Sequence, residues 1–237
     1  MLVKAVNLDH VMHIASRLEP LGVKFAFIGG SVIGLLVDHP EAASIRPTND
    51  IDVVLEVVTH IDYTKMEKRL FGLKFKNDIS EGAPKCRWIV DDIKVDVLPS
   101  RDDLGQWRGR WFEEALRTAT PREISGKTIN VVTASCFIAT KMDAFADRGN
   151  GDFLASRDVE DIVAIVDGRA SLESEIFTSH PDLRRYVSET VRTWLEKPEF
   201  IEALQGHLPG DTASQQRLPN LVKCLQRIGN MARRGNE

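Results

Sequence analysis

Cysteine is scarce in this 237-residue chain, occurring only at positions 86, 136 and 224. Cys86, Cys136 and Cys224 are odd in number and far apart, so no disulfide framework is expected, and no pair of them has zinc-site spacing. The six histidines form no zinc-type cluster in the sequence either. Long apolar runs are missing: no stretch approaches the roughly 18 consecutive residues of a membrane span. The N-terminal MLVKAVNLDH lacks the apolar core of a secretory signal. Together these absences predict a cytoplasmic chain with no membrane partner. Excess positive charge is also lacking. The formal net charge is −4, so a globally basic surface is not available to explain any nucleic-acid binding. Internal repeats and low-complexity tracts are absent.

What is present is an ordinary globular composition, 43% hydrophobic and 28% charged. Leu8 to Leu18 has helical apolar spacing, with Asn7 or Asp9 as N-cap. Phe25 to Ile28 reads as a buried strand. Gly29-Gly30-Ser31 follows, and Val32 to Val37 looks like the start of a helix. His39 to Pro47 carries two prolines and predicts a loop. Ile51 to Val58 is β-branched and strand-like, and Tyr63 to Phe71 is a helix candidate. Asp91-Asp92 between Trp88–Val90 and Ile93–Leu98 predicts a hairpin turn, as does Ser125-Gly126-Lys127 between Ile124 and Thr128–Val132. Beyond residue 132 the pattern is helical: Thr133–Ala146, Val159–Val166, Arg184–Leu195, Glu199–Leu204 and Leu218–Arg233. The expected fold class is therefore α+β: a mixed sheet with flanking helices over residues 1–132, then a helical C-terminal domain over 133–237.

Three short motifs carry candidate chemistry. Gly29-Gly30-Ser31 sits between a predicted strand and helix, where glycine lets the backbone turn tightly and approach a phosphate, and Ser31 adds a hydroxyl donor. An ordinary ligand-free turn is the alternative. Asp50-Ile51-Asp52 opens a strand. Side chains alternate along a strand, so both carboxylates share a face with Cα atoms roughly 7 Å apart, and a cation between them would relieve their repulsion. A solvated strand end is the plainer reading. Asp96 lies opposite the apolar face formed by Ile93, Val95 and Val97; an edge-strand surface position would account for it equally well. Taken together, three carboxylates on two strands beside a phosphate-binding turn suit two metal ions about 4 Å apart and in-line phosphoryl chemistry.

These residues resemble the signature of the DNA-polymerase-beta-like nucleotidyltransferase superfamily. Arg46-x-Thr48-x-Asp50-Ile51-Asp52 is similar to the form found in AbiEii-type nucleotidyltransferase toxins, as are Lys141-Met142-x-Ala144-x-x-x-Arg148 and Arg157-Asp158-x-x-Asp161-Ile162. The resemblance spans roughly residues 25 to 166. It implies transfer of a nucleoside monophosphate from an NTP to an acceptor with Mg²⁺ or Mn²⁺. Asp50, Asp52 and Asp96 would be metal ligands, Asp96 also helping to deprotonate the acceptor. Gly29, Gly30 and Ser31 would cradle phosphates, and Lys141 with Arg148 would neutralise triphosphate charge. Asp158 and Asp161 would orient those cations or contact the nucleotide. It further implies an RNA acceptor, the 3′ end of tRNA, and a cognate antitoxin protein as partner. The spacing of Lys141, Ala144 and Arg148 places them on one helix face, and Asp158 and Asp161 share a face of the next; a purely structural ion-pair set between two helices is the alternative.

Other features are less directive. Gln106 to Phe112 interleaves aromatics with arginines, suited to stacking bases but more simply read as tryptophans packing into the core. Arg148 to Ser156, with two glycines, is expected to be a mobile loop beside the site. From Arg217 to Asn236 there are five basic residues and no acidic one, a pattern that fits either RNA phosphates or a solvated helix face. Two rival functions stay open: transfer to a small molecule such as an aminoglycoside, and a catalytically silent nucleotide- or partner-binding module.

Overall fold

The computed structural model describes residues 7–38, 45–57, 60–101 and 109–233. Most of the loop from His39 and the Gln106, Trp107 and Arg108 part of the aromatic–arginine stretch lie outside the described residues. Local signals act much as the sequence implies. Asn7 is extended and caps α1 (Leu8–Leu18): its side chain accepts from the His10 N–H, and the His10 ring accepts in return from the Asn7 N–H. Val11, Ile14, Ala15 and Leu18 form the buried stripe of that helix.

Seven strands follow among the described residues: β1 (Phe25–Ile28), β2 (Asp50–Leu55), β3 (Lys76–Asn77), β4 (Arg87–Val90), β5 (Ile93–Pro99), β6 (Thr120–Ile124) and β7 (Lys127–Val131). They form one mixed sheet in the order β3-β4-β5-β2-β1-β7-β6. The pairs β2–β5 and β1–β7 are parallel; the other neighbours are antiparallel. Two tight turns set the hairpins. Asp91 and Asp92 have φ of 50° and 63°, Ser125 and Gly126 φ of 49° and 79°. Left-handed backbone at both central positions matches the right-handed twist of the flanking strands.

The helices are α1, α2 (Ile33–Leu36), α3 (His60–Gly72), α4 (Phe112–Thr118), α5 (Ala134–Arg148), α6 (Arg157–Gly168), α7 (Leu172–Thr178), α8 (Pro181–Leu195), α9 (Pro198–His207), α10 (Thr212–Gln215) and α11 (Leu218–Gly229). The mixed sheet with helices and the helical C-terminal part match the expected class. Helices α4, α7 and α10 are too short for their apolar spacing to be distinctive in sequence.

The chain divides into two compact units, Met1–Val32 with Pro47–Thr133, and Ile33–Arg46 with Ala134–Glu237. The first holds the whole sheet. Its core includes Phe27, Ile51, Val53, Trp88, Val95 and Val97. The second is helical. Segment 33–46 belongs with it because Ile33 and Leu36 are buried and because Asp38 and Leu36 are hydrogen-bonded at the end of α6. The Asp38 N–H donates to the Gly168 carbonyl, the Ala170 N–H donates to the Asp38 carboxylate, and Arg169 donates to the Leu36 carbonyl. No helix among the described residues is long and apolar enough to cross a membrane.

Candidate active site

The first unit brings the three aspartates together by strand register. In the parallel β2–β5 pair, Asp52 stands opposite Asp96 and Asp50 opposite Lys94. Period-two alternation turns Ile51 and Val53 into the core, both fully buried, and leaves Asp50 and Asp52 on the other face. β5 lies between β4 and β2, so the edge-strand reading of Asp96 does not hold; it is only 8% exposed. A carboxylate that buried needs partners.

Its main partner is Arg87, which the sequence reading had not singled out. Arg87 pairs with Asp96 across the β4–β5 hairpin. Its Nε donates to Asp96 Oδ1 at 2.7 Å and its Nη2 to Asp96 Oδ2 at 2.8 Å; the same Nη2 reaches Asp50 Oδ2 at 2.6 Å. Hydrogen bonding to Asp96 holds the guanidinium above its already high ordinary value, against the opposing effect of burial. Thr48 supplies the other side, its hydroxyl donating to Asp50 Oδ1 at 2.7 Å. A sequence signal for Arg87 did exist: a two-residue turn at 91–92 pairs residues whose numbers sum to 183, and 87 therefore faces 96. Neighbouring Cys86 is also sensitive to the acids. Burial pushes its thiol up to about 12, with Asp96 and Asp52 adding to the shift.

Gly29 faces Asp52. Its φ is +74°, and a Cβ there would come 1.9 Å from Asp52 Oδ2. Only glycine satisfies both the backbone and the contact. Gly30 is less constrained: a Cβ would stand 3.4 Å from Thr48 Cβ. Ser31 Oγ is buried and has no hydrogen-bond partner among the described residues, an orphaned hydroxyl beside the turn that fits a ligand acceptor. The helix expected to start at Val32 is short. Gly30–Val32 is a 3₁₀ turn and α2 has four residues. Any phosphate contact would rest on turn N–H groups and Ser31, not on a long helix dipole.

Hard carboxylate oxygens on adjacent strands are the donor set a divalent ion prefers. As the side chains stand, no group of three or more His, Cys, Asp or Glu among the described residues is gathered to hold a metal. In this arrangement Arg87 and Thr48 engage both oxygens of Asp50, and Arg87 both oxygens of Asp96.

In the second unit the predicted helix faces meet. Lys141 of α5 lies 2.6 Å from Asp161 and 3.3 Å from Asp158 of α6. Arg148 forks onto Asp158 at 3.0 and 2.9 Å. Arg46 joins them, 3.4 Å from Glu160 and 3.6 Å from Asp161. Burial pushes the Asp158 carboxyl up, but Arg148 and Lys141 more than offset this and hold it below the usual range. Asp161 is only 1% exposed. The structural ion-pair set is therefore formed.

Of three weaker expectations, two are revised and one, the packing of Trp111, is upheld. The stretch from Arg148 to Ser156 is anchored: Phe153 is buried against Phe145, Trp194 and Phe200, and its carbonyl lies 2.8 Å from His207 Nε2. Trp111 is buried, which accords with core packing. In the basic tail, Arg217 is forked onto Asp167 and Arg227 onto Glu173, so these charges are already neutralised.

No protein-family model matches the chain, and no curated protein does. Solved structures similar to it include an antigenic nucleotidyltransferase-like protein from Paracoccidioides brasiliensis, 21% identical with a TM-score of 0.47, covering 81% of this chain and 89% of that one. Another is the antibiotic-resistance factor ANT(2'')-Ia, 14% identical with a TM-score of 0.42, covering 65% of this chain and 80% of that one.

Proposed function

We propose that this chain is a metal-dependent nucleotidyltransferase that moves a nucleoside monophosphate from an NTP to an acceptor. The observation carrying this reading is the register of β1, β2 and β5, which sets Asp52 opposite both Asp96 and Ile28, with Gly29 against its carboxylate. Asp50, Asp52 and Asp96 would hold Mg²⁺ or Mn²⁺, which when bound supplies charge neutralisation on the phosphates and acidifies the attacking hydroxyl. Asp96 accepts the proton of that hydroxyl. The N–H groups of Gly29 and Gly30 and the Ser31 hydroxyl orient the phosphates. On the resemblance alone, Lys141 and Arg148 would balance triphosphate charge, with Asp158 and Asp161 fixing their position.

By resemblance to AbiEii-type toxins, RNA, at the 3′ end of tRNA, is the acceptor of choice, and a cognate antitoxin is the expected partner in the cytoplasm. The neutralised Arg217 and Arg227 remove part of the tail's attraction for RNA phosphates, and on that ground a small-molecule acceptor is the second reading. The test incubates the protein with each labelled NTP, Mg²⁺ and total RNA, in parallel with folded Asp52→Ala. Label on a discrete RNA by the native chain alone is the expected result. Equal labelling by the variant would remove Asp52 from the chemistry, and labelling only of added aminoglycosides would move the acceptor to the second reading.

A further inference from the structure

We propose that Arg87 is a resident competitor for the divalent ion, its guanidinium holding Asp50 and Asp96 together in the ion-free protein and leaving them when the ion binds. The inference rests on the metal-dependent reading of the site. Three hydrogen bonds from Arg87 take both oxygens of Asp96 and one of Asp50, at 2.6 to 2.8 Å. The remaining Asp50 oxygen accepts from Thr48. A divalent ion needs carboxylate oxygens at about 2.0–2.5 Å, so it must enter the space that the guanidinium nitrogens fill. Both cations answer the same need, relief of repulsion among acids on one face. They therefore exclude each other.

The geometry is built for this exchange. Arg87 is placed by the hairpin register opposite Asp96, and its side chain keeps 17% of its surface exposed, giving it a route outward. Its planar fork matches a carboxylate in two places at once, which the point charge of lysine cannot do. While the fork is engaged only a fraction of the protein is ion-competent, and the apparent ion affinity is reduced by that fraction.

Mn²⁺ binding to the full chain, followed by electron paramagnetic resonance without nucleotide, tests this in native protein, Arg87→Ala, Arg87→Lys and Arg87→Ala combined with Asp96→Asn. Arg87→Ala is expected to bind Mn²⁺ at least about tenfold more tightly than the native chain, Arg87→Lys to fall between them, and the double variant to lose the gain. Thermal unfolding gives an independent readout. Arg87→Ala should melt below the native protein and be restored by Mn²⁺, because the ion stabilises the state it binds, while native melting changes little at the same concentration. Should Arg87→Ala not fold, Arg87→Lys carries the test. Unchanged or weaker Mn²⁺ binding in the Arg87 variants, with Asp96→Asn still abolishing it, overturns the competitor role and leaves the metal site standing. Tighter binding that survives Asp96→Asn places the ion elsewhere and overturns it too. No Mn²⁺ binding by any form sinks both the inference and the metal-dependent reading.

Discussion

At the scale of single residues, the two adjacent glycines do different work. Gly29→Ala puts a Cβ into the Asp52 carboxylate at a backbone angle that alanine resists, so urea unfolding should show a loss of more than about 1 kcal/mol. Gly30→Ala meets only Thr48 at ordinary contact distance, and its unfolding midpoint should stay near native. Thr48→Val removes the donor to Asp50 and is expected to cost about 1 kcal/mol; Thr48→Ser should recover it. Legibility in the sequence followed the same division. Asp50, Asp52 and Asp96 were readable because alternation along a strand assigns faces directly. Arg87 was passed over because a lone arginine in a half-exposed strand resembles any surface cation, and only the hairpin register reveals what it faces.

Between elements, the α5–α6 ion pairs carry a pH dependence whose sign is fixed by Asp158. Its carboxyl is held below the ordinary value, with Arg148 and Lys141 outweighing burial. A depressed acid stabilises the fold above its unfolded value of about 3.9 and loses that contribution as pH falls through the lower folded value. The difference in urea midpoint between native protein and Asp158→Asn should therefore be full at pH 6 and shrink below about pH 4. The pairing was legible from i, i+3 and i+7 spacing on consecutive helices. The fate of the tail cations was not. Arg217 and Arg227 find Asp167 and Glu173, 50 and 54 residues earlier, and only packing decides such distant partners. Arg227→Ala should accordingly leave the salt dependence of acceptor binding unchanged.

For the whole molecule, apolar patterning announced a sheet-containing part and a helical part but gave no sign that residues 33–46 side with the helices. The segment is short, its loop carries a proline, and its attachment includes the buried Ile33, Leu36 and Val37, hydrogen bonds of Leu36 and Asp38 to the end of α6, and the ion pairs of Arg46 with Glu160 and Asp161. A fragment beginning at Ala134 lacks Ile33 and Leu36, whose burial is each worth about 1.5–3 kcal/mol. It should unfold at clearly lower urea than the same fragment with residues 33–46 joined to it, and equal midpoints would show that the segment adds nothing. The backbone passes between the units at 32/33, 46/47 and 133/134. Neither unit is thus a continuous cassette. Recombination at a single point cannot deliver the carboxylate-bearing sheet intact to a new helical companion, and grafting it would require three coordinated junctions.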